Sequence, residues 1–147
     1  VPALAAILLL SLLILLPSVQ ADASSSRSSE TGAIGFGTDY TVVNSNFRLV
    51  NPKKSFGPTD TLAYVANIPG GAQTKKMAVV FYTQYNRATK EVSRHTWYVT
   101  NIHDTQFADT YSLSNELSYK IVKPGTYIMR FYRGTVLLAQ GIFYRTK

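Results

Sequence analysis

From Asp39 onward, no stretch of this chain combines the length of a helix with apolar residues at helical spacing. Its apolar residues come in short alternating runs, cut at intervals by turn residues. Side chains of period two point to opposite faces of a sheet, so this pattern predicts short strands stacked in layers. Ten Tyr and seven Phe, with many Val, Ile and Thr, supply residue types that suit a pleated, half-buried surface. The expectation is an all-β, antiparallel sandwich of about seven strands.

The runs can be placed along the chain. Tyr40–Val43 and Phe47–Val50 read as one strand interrupted at Asn44-Ser45-Asn46 by a bulge or a sheet switch. The strand from Thr61 to Ile68 alternates Leu62, Tyr64, Ala66 and Ile68, and Pro69-Gly70-Gly71 closes it. Met77–Tyr85 carries Met77, Val79 and Phe81 on one face and Ala78, Val80 and Tyr82 on the other, which predicts a central strand or a covered outer face. A polar loop, Asn86–Lys90, leads to Glu91–Thr100, in which either Val92, Arg94, Thr96 and Tyr98 or Ser93, His95, Trp97 and Val99 point inward. Phe107, Tyr111 and Leu113 share a face of the next strand, and Ser114–Lys123 reads as a loop. Tyr127, Met129 and Phe131 share a face of the penultimate strand, which turns through Arg133-Gly134 into the last.

Two segments precede these strands. Val1–Leu16 is apolar and uncharged, shorter than the roughly 20 residues a membrane-spanning helix needs. Pro17 breaks it, and Val19-Gln20-Ala21 offers small residues for cleavage after Ala21. Residues 1–21 are therefore expected to be a helical signal peptide, one already lacking its Met and basic start. A retained membrane anchor, or a pilin-like helix that builds a filament core, is the alternative. Residues 22–38, rich in Ser and Gly, read as a flexible tether, with the sandwich over residues 39–147. Such a leader implies a secreted, periplasmic or cell-surface protein. The chain has no Cys, so thiol chemistry, thiolate metal sites and disulfides are excluded and the fold must be held by its core.

Several local motifs are similar to those of the immunoglobulin-like sandwiches of bacterial and archaeal secreted proteins. These are Phe56-Gly57-Pro58-Thr59-Asp60 before an alternating strand, the inward set Met77, Val79 and Phe81, Pro124-Gly125-Thr126-Tyr127 opening a strand, and Arg133-Gly134 leading to Phe143. The resemblance covers about Phe47 to Arg145. It departs at Phe81, where a Trp is more usual, and at Tyr144-Arg145 after Phe143. It implies adhesive, spacer or accessory modules. It also implies that Tyr127 acts as a tyrosine corner, its hydroxyl bonding backbone near the preceding turn; a core Tyr with a solvated hydroxyl is the other reading.

No catalytic constellation is legible. His103-Asp104 are adjacent residues that a strand would send to opposite faces, with no nucleophile marked. His95 and His103 with Asp104 or Asp109 lack metal-ligand spacing. Asp39, Asp60, Asp104 and Asp109 do not cluster as calcium ligands do, and Asp60 is expected to bond turn backbone. The glycine pairs open no helix, so no phosphate cradle forms. No enzyme activity, cofactor or metal is expected.

The net charge is +7, from 15 Lys and Arg against 8 Asp and Glu. Tyr82, Tyr85, Arg94, Tyr98, Arg130 and Tyr132 form a candidate ligand surface, where tyrosine rings and cations on an outward sheet face would meet a partner. The expected function is a non-catalytic extracytoplasmic binding, adhesive or accessory module for a protein or envelope polymer. Two alternatives accompany it: self-association into pilin-like filaments, and weak binding of an acidic polysaccharide or extracellular nucleic acid through the Tyr/Arg surface. The charges are dispersed without an RNA-binding signature, which suits a role in keeping the protein soluble, and a secreted protein seldom meets nucleic acid.

Overall fold

A computed structural model describes residues 30–114 and 120–147. The signal peptide, anchor or filament helix expected over residues 1–21 lies outside the described residues, as do the first part of the tether and the centre of the 114–123 loop. Among the described residues the chain is all β, with no helix. Its strands are β1 (Gly32–Gly37), β2 (Asp39–Val43), β3 (Asn46–Val50), β4 (Ser55–Phe56), β5 (Thr61–Asn67), β6 (Lys76–Tyr85), β7 (Ala88–Tyr98), β8 (Gln106–Ser112), β9 (Gly125–Arg133) and β10 (Val136–Arg145).

Seven of these strands run in one curled, mixed sheet in the order β7-β6-β9-β10-β1-β5-β8; β4 adds to β10, and β2 and β3 form a separate hairpin. The curl brings β5 and β8 over β6, β7 and β9. Tyr64 meets Phe131 with ring centroids 5.8 Å apart, Phe81 meets Tyr111 at 5.8 Å, and Trp97 meets Phe107 at 6.1 Å. Full burial of a large apolar side chain is worth about 1.5–3 kcal/mol. Tyr64, Phe56, Phe81, Phe131, Phe143, Met77 and Met129 are all fully buried, so this shared interior carries the fold.

Alternation sets which side chains enter that interior. Met77, Val79 and Phe81 are buried, as are Phe107, Tyr111 and Leu113, and Tyr127, Met129 and Phe131. On β7 the inward set is His95 and Trp97, paired with Val79 and Met77, while Arg94, Thr96 and Tyr98 point out. Val92 is the extra residue of a bulge: Phe81 pairs with Ser93, and the next residue, Tyr82, pairs with Glu91. Val92 packs against the core from this irregular position.

Two local motifs have clear causes. The Tyr127 hydroxyl donates to the Lys123 carbonyl at 2.8 Å, the tyrosine-corner geometry, with its ring stacked on Phe143. Burial raises the pKa of this hydroxyl. The Asp60 carboxylate accepts from Lys53 Nζ at 2.7 Å and from the Gly57 amide at 2.9 Å, closing the turn before β5. The Lys53 hydrogen bond, then that of Gly57, hold its pKa below the ordinary carboxylate value.

The described residues correct several expectations. The last part of the expected tether is β1, which pairs antiparallel with β5 and parallel with β10 and places Ile34 and Phe36 in the core. Its glycines mark close approach rather than flexibility. A Cβ on Gly37 would lie 2.6 Å from the Val50 carbonyl oxygen, and one on Gly35 would lie 2.9 Å from Leu49 Cδ1. The β-structure therefore begins before residue 39. The main sheet is mixed rather than antiparallel, because β1 and β4 both run parallel to β10.

The interrupted strand expected over Tyr40–Val50 is instead the β2–β3 hairpin, with Asn44 at φ 49° and Ser45 at φ 62°. Positive φ at both turn positions gives the twist that two-residue hairpins favour. Asn86 and Arg87, at φ 47° and 67°, make the same kind of turn between β6 and β7, so the expected five-residue loop shrinks to two. The final hairpin turns through Gly134-Thr135, since Arg133 still pairs with Val136. Pro69-Gly70-Gly71 closes β5 as expected and leads to β6, which is not its neighbour in the sheet.

The β2–β3 hairpin packs on β5 and β8. Cross-strand partners share a face, so Tyr40, Val42, Phe47 and Leu49 form one apolar side of the hairpin. It covers the outer face of this layer, which explains why β5 is buried on both sides, Leu62 and Tyr64 inward and Ala63 and Val65 outward.

Candidate functional site

The outer face of β7-β6-β9-β10 is built by register. Arg94 pairs with Val80, Val80 with Arg130, and Arg130 with Gln140, so these four residues form one row across the strands. In the adjoining rows, Tyr82 lies between Glu91 and Ile128, and Ala78 lies between Thr96 and Tyr132. Val80 and Ile128 are buried although they point away from the core. The side chains around them provide that cover.

Arg130 is the hub. Its guanidinium carbon sits 5.1 Å from the centre of the Tyr82 ring, a cation–π arrangement. Its Nε donates to Gln140 Oε1 at 3.2 Å and one Nη donates to the Tyr132 hydroxyl at 3.4 Å. The Tyr82 hydroxyl donates to the same Tyr132 oxygen at 3.4 Å. Desolvation, then the contact with Tyr132, push the Tyr82 pKa up. Arg94 is engaged differently. Its Nε and Nη2 chelate the Glu91 carboxylate at 2.9 and 2.8 Å. This pair lowers the Glu91 pKa and raises that of Arg94.

The Glu91–Arg94 pair depends on the bulge. Residues three apart on a regular strand face opposite ways; the extra Val92 lets both point outward. Sequence reading did not find Glu91, Gln140 or Val80, because the register between strands is not written in any one of them.

Of the six candidate surface residues, Tyr82, Arg94, Arg130 and Tyr132 come together. Tyr98 shares the outward side of β7 one row further along, with the Lys76 ammonium 5.6 Å from its ring centre. Tyr85 does not join them. It is three residues from Tyr82, so alternation turns it to the other face, and at the end of β6 it is 79% exposed. On β10, Ile142 and Tyr144 extend the patch at 41% and 44% exposure.

The histidines lie elsewhere. His95 Nε2 is 3.4 Å from the Tyr111 hydroxyl, beside an open cleft of about 400 Å³ that Trp97, Tyr98 and Asp109 also line. Burial lowers the His95 pKa, and the Asp109 charge partly opposes that. His103 sits exposed in the Asn101–Asp104 turn, its amide donating to Asn101 Oδ1. Among the described residues, no three His, Asp or Glu side chains gather as metal ligands would. A second open cleft, about 430 Å³, has Lys90, Lys120 and Lys123 around Val92 and Tyr127. No protein-family model matches the chain, and no curated protein matches it either.

Proposed function

We propose that this chain is a non-catalytic, extracytoplasmic binding module of the immunoglobulin-like sandwich type, which engages an envelope polymer or protein through the outer face of β7-β6-β9-β10. One observation carries the reading. The two layers are unlike on their outer sides: the β2–β3 hairpin covers one, whereas the other holds Tyr82, Arg130 and Tyr132 in a connected polar cluster over a buried Val80. Aromatic and Arg side chains, large and already ordered, are the types that dominate recognition surfaces. The two-layer all-β architecture and the Tyr127 corner support the immunoglobulin-like assignment. The apolar, uncharged Val1–Leu16 with its break at Pro17 supports export.

Two measurements test this. Sequencing the N-terminus of the mature protein is expected to give Asp22; a mature protein that keeps the Val1–Leu16 segment would favour the filament or anchor reading. Retention of the protein by isolated envelope fragments is expected to fall with the double substitution Arg130→Ala and Tyr132→Ala. Retention equal to that of wild type would remove this face from the function.

A further inference from the structure

We infer that the Tyr82–Arg130–Tyr132 cluster binds the carboxylate of an acidic polysaccharide, with the sugar chain running towards Ile142 and Tyr144. The inference rests on the proposed function above and narrows it to a ligand class.

Hydrogen-bond accounting gives the sign of the ligand. The Tyr132 oxygen accepts from Arg130 and from Tyr82, so its own hydrogen must be directed to a different acceptor. Arg130 spends its Nε on Gln140 and part of one terminal nitrogen on Tyr132. Its guanidinium has five N–H groups, so several donors are left over. The ion pairs found among the described residues are Lys53–Asp60 and Arg94–Glu91, and neither involves Arg130. The cluster therefore offers donors around a half-buried positive charge that no carboxylate of the described residues neutralises. Such a group complements an anionic acceptor, and a planar guanidinium suits a carboxylate, which it can bind with two parallel hydrogen bonds.

The surroundings favour a sugar over a nucleic acid. Binding of single strands relies on open ring faces for stacking and on several cations along the backbone. Here a cation lies over a face of Tyr82 and of Tyr98, and Arg94 is already held by Glu91. Ile142 and Tyr144 lie on the same outward side of β10 as Gln140, which pairs with Arg130. At about 3.4 Å per residue, Tyr144 lies roughly 14 Å along β10 from Gln140. That length fits a few linked sugar units, whose C–H faces would rest on exposed apolar side chains.

The experiment uses the whole protein and immobilised polygalacturonate, a polyuronate, beside its methyl ester and a single-stranded oligodeoxythymidine. Polygalacturonate is expected to retain the protein in a manner weakened by salt, and the ester, which lacks the charge, is not. Arg130→Gln is expected to weaken binding about tenfold or more. Tyr132→Phe, which keeps the ring and its packing, is expected to weaken it several-fold. Glu91→Gln releases Arg94, about 9.6 Å or two strand spacings from Arg130, and is expected to strengthen binding. Lys54→Gln removes an equal charge from an exposed loop and is expected to change little.

Equal binding to ester and acid, tighter binding to the oligonucleotide, or indifference to both Arg130→Gln and Tyr132→Phe would each overturn the inference. If envelope retention needs Arg130 and Tyr132 while polygalacturonate is not bound, the carboxylate assignment fails and the binding face stands. Trp97 fluorescence of every variant verifies that it is folded.

Discussion

Phe36→Ala in the whole chain separates a strand from a tether. A side chain in a solvated tether can be truncated at no cost to folding. Here the Phe36 ring is buried, 5.1 Å from that of Phe143, on the strand that joins the two layers. Truncating a buried Phe loses its transfer free energy and leaves a cavity, together about 3–5 kcal/mol. Domains of this size have only about 5–15 kcal/mol in total, so the variant is expected to keep a fraction of its stability. With a urea slope of about 1.5 kcal/mol/M, the unfolding midpoint is expected to fall by about 2–3 M. The single Trp reports the transition well, because Trp97 packs against Tyr64, Phe107 and Phe131 at the edge of the core. Thr31→Ala, at an exposed position just before β1, is the control and is expected to leave the midpoint unchanged. A Phe36→Ala midpoint within about 0.3 M of wild type would refute the assignment of β1 to the core, since that difference is under about 0.5 kcal/mol.

Three other outcomes follow from the same packing. A Cβ on Gly141 would fall on the Ile34 carbonyl oxygen and within 2.8 Å of Phe36 Cε2, whereas one on Gly35 meets the movable end of Leu49; Gly141→Ala is expected to cost about 1–3 kcal/mol in urea unfolding and Gly35→Ala less. Tyr127→Phe keeps the ring stacked on Phe143 but removes the hydroxyl bond to Lys123, so a loss of about 0.5–1.5 kcal/mol, a few degrees in Tm, is expected by calorimetry. His95 has a folded pKa below its ordinary 6.5, so the unfolded chain takes up its proton first as pH falls. Unfolding free energy is expected to drop as pH falls from about 6.5 to the folded pKa, and to be flat with respect to this group above about pH 6.5; His95→Gln is expected to remove that portion of the slope in pH-dependent denaturation.

What the sequence disclosed divides by the range of the cause. The inward faces of β6, β8 and β9 were legible because alternation is local: Met77, Val79 and Phe81 needed no knowledge of their neighbours. The same holds for Arg130 and Tyr132, two apart on one strand. It also tells against Tyr85, whose spacing of three from Tyr82 already implied opposite faces. β1 was not legible. Glycine lowers the apparent apolar content of Gly32–Gly37, and its reason there is the approach of Leu49 and the Val50 carbonyl from a hairpin lying on the other side. A composition reading sees missing side chains and infers flexibility, while the cause lies in segments distant along the chain. The hairpin itself was misread because Asn44 and Ser45 adopt positive φ, which Asn signals only weakly and Ser not at all.

The Val92 bulge joins the fold to the site. One inserted residue gives β7 a second inward apolar contact and, by the same half-turn of register, sends both Glu91 and Arg94 to the outer face. Glu91 then neutralises Arg94, and Arg130, one strand further in on the other side of Val80, is the guanidinium of this face left with its charge open. Without the bulge, strand alternation would direct Glu91 inward, and two free guanidinium groups would flank Val80. That surface would attract polyanions of any kind. With the bulge, Arg130 is an ordered charge between two tyrosine hydroxyls and an apolar strip on β10, and the next cation of the face, Lys76, lies over Tyr98 two rows further along. An arrangement of that kind would discriminate by geometry as well as by sign, as the binding face proposed above requires.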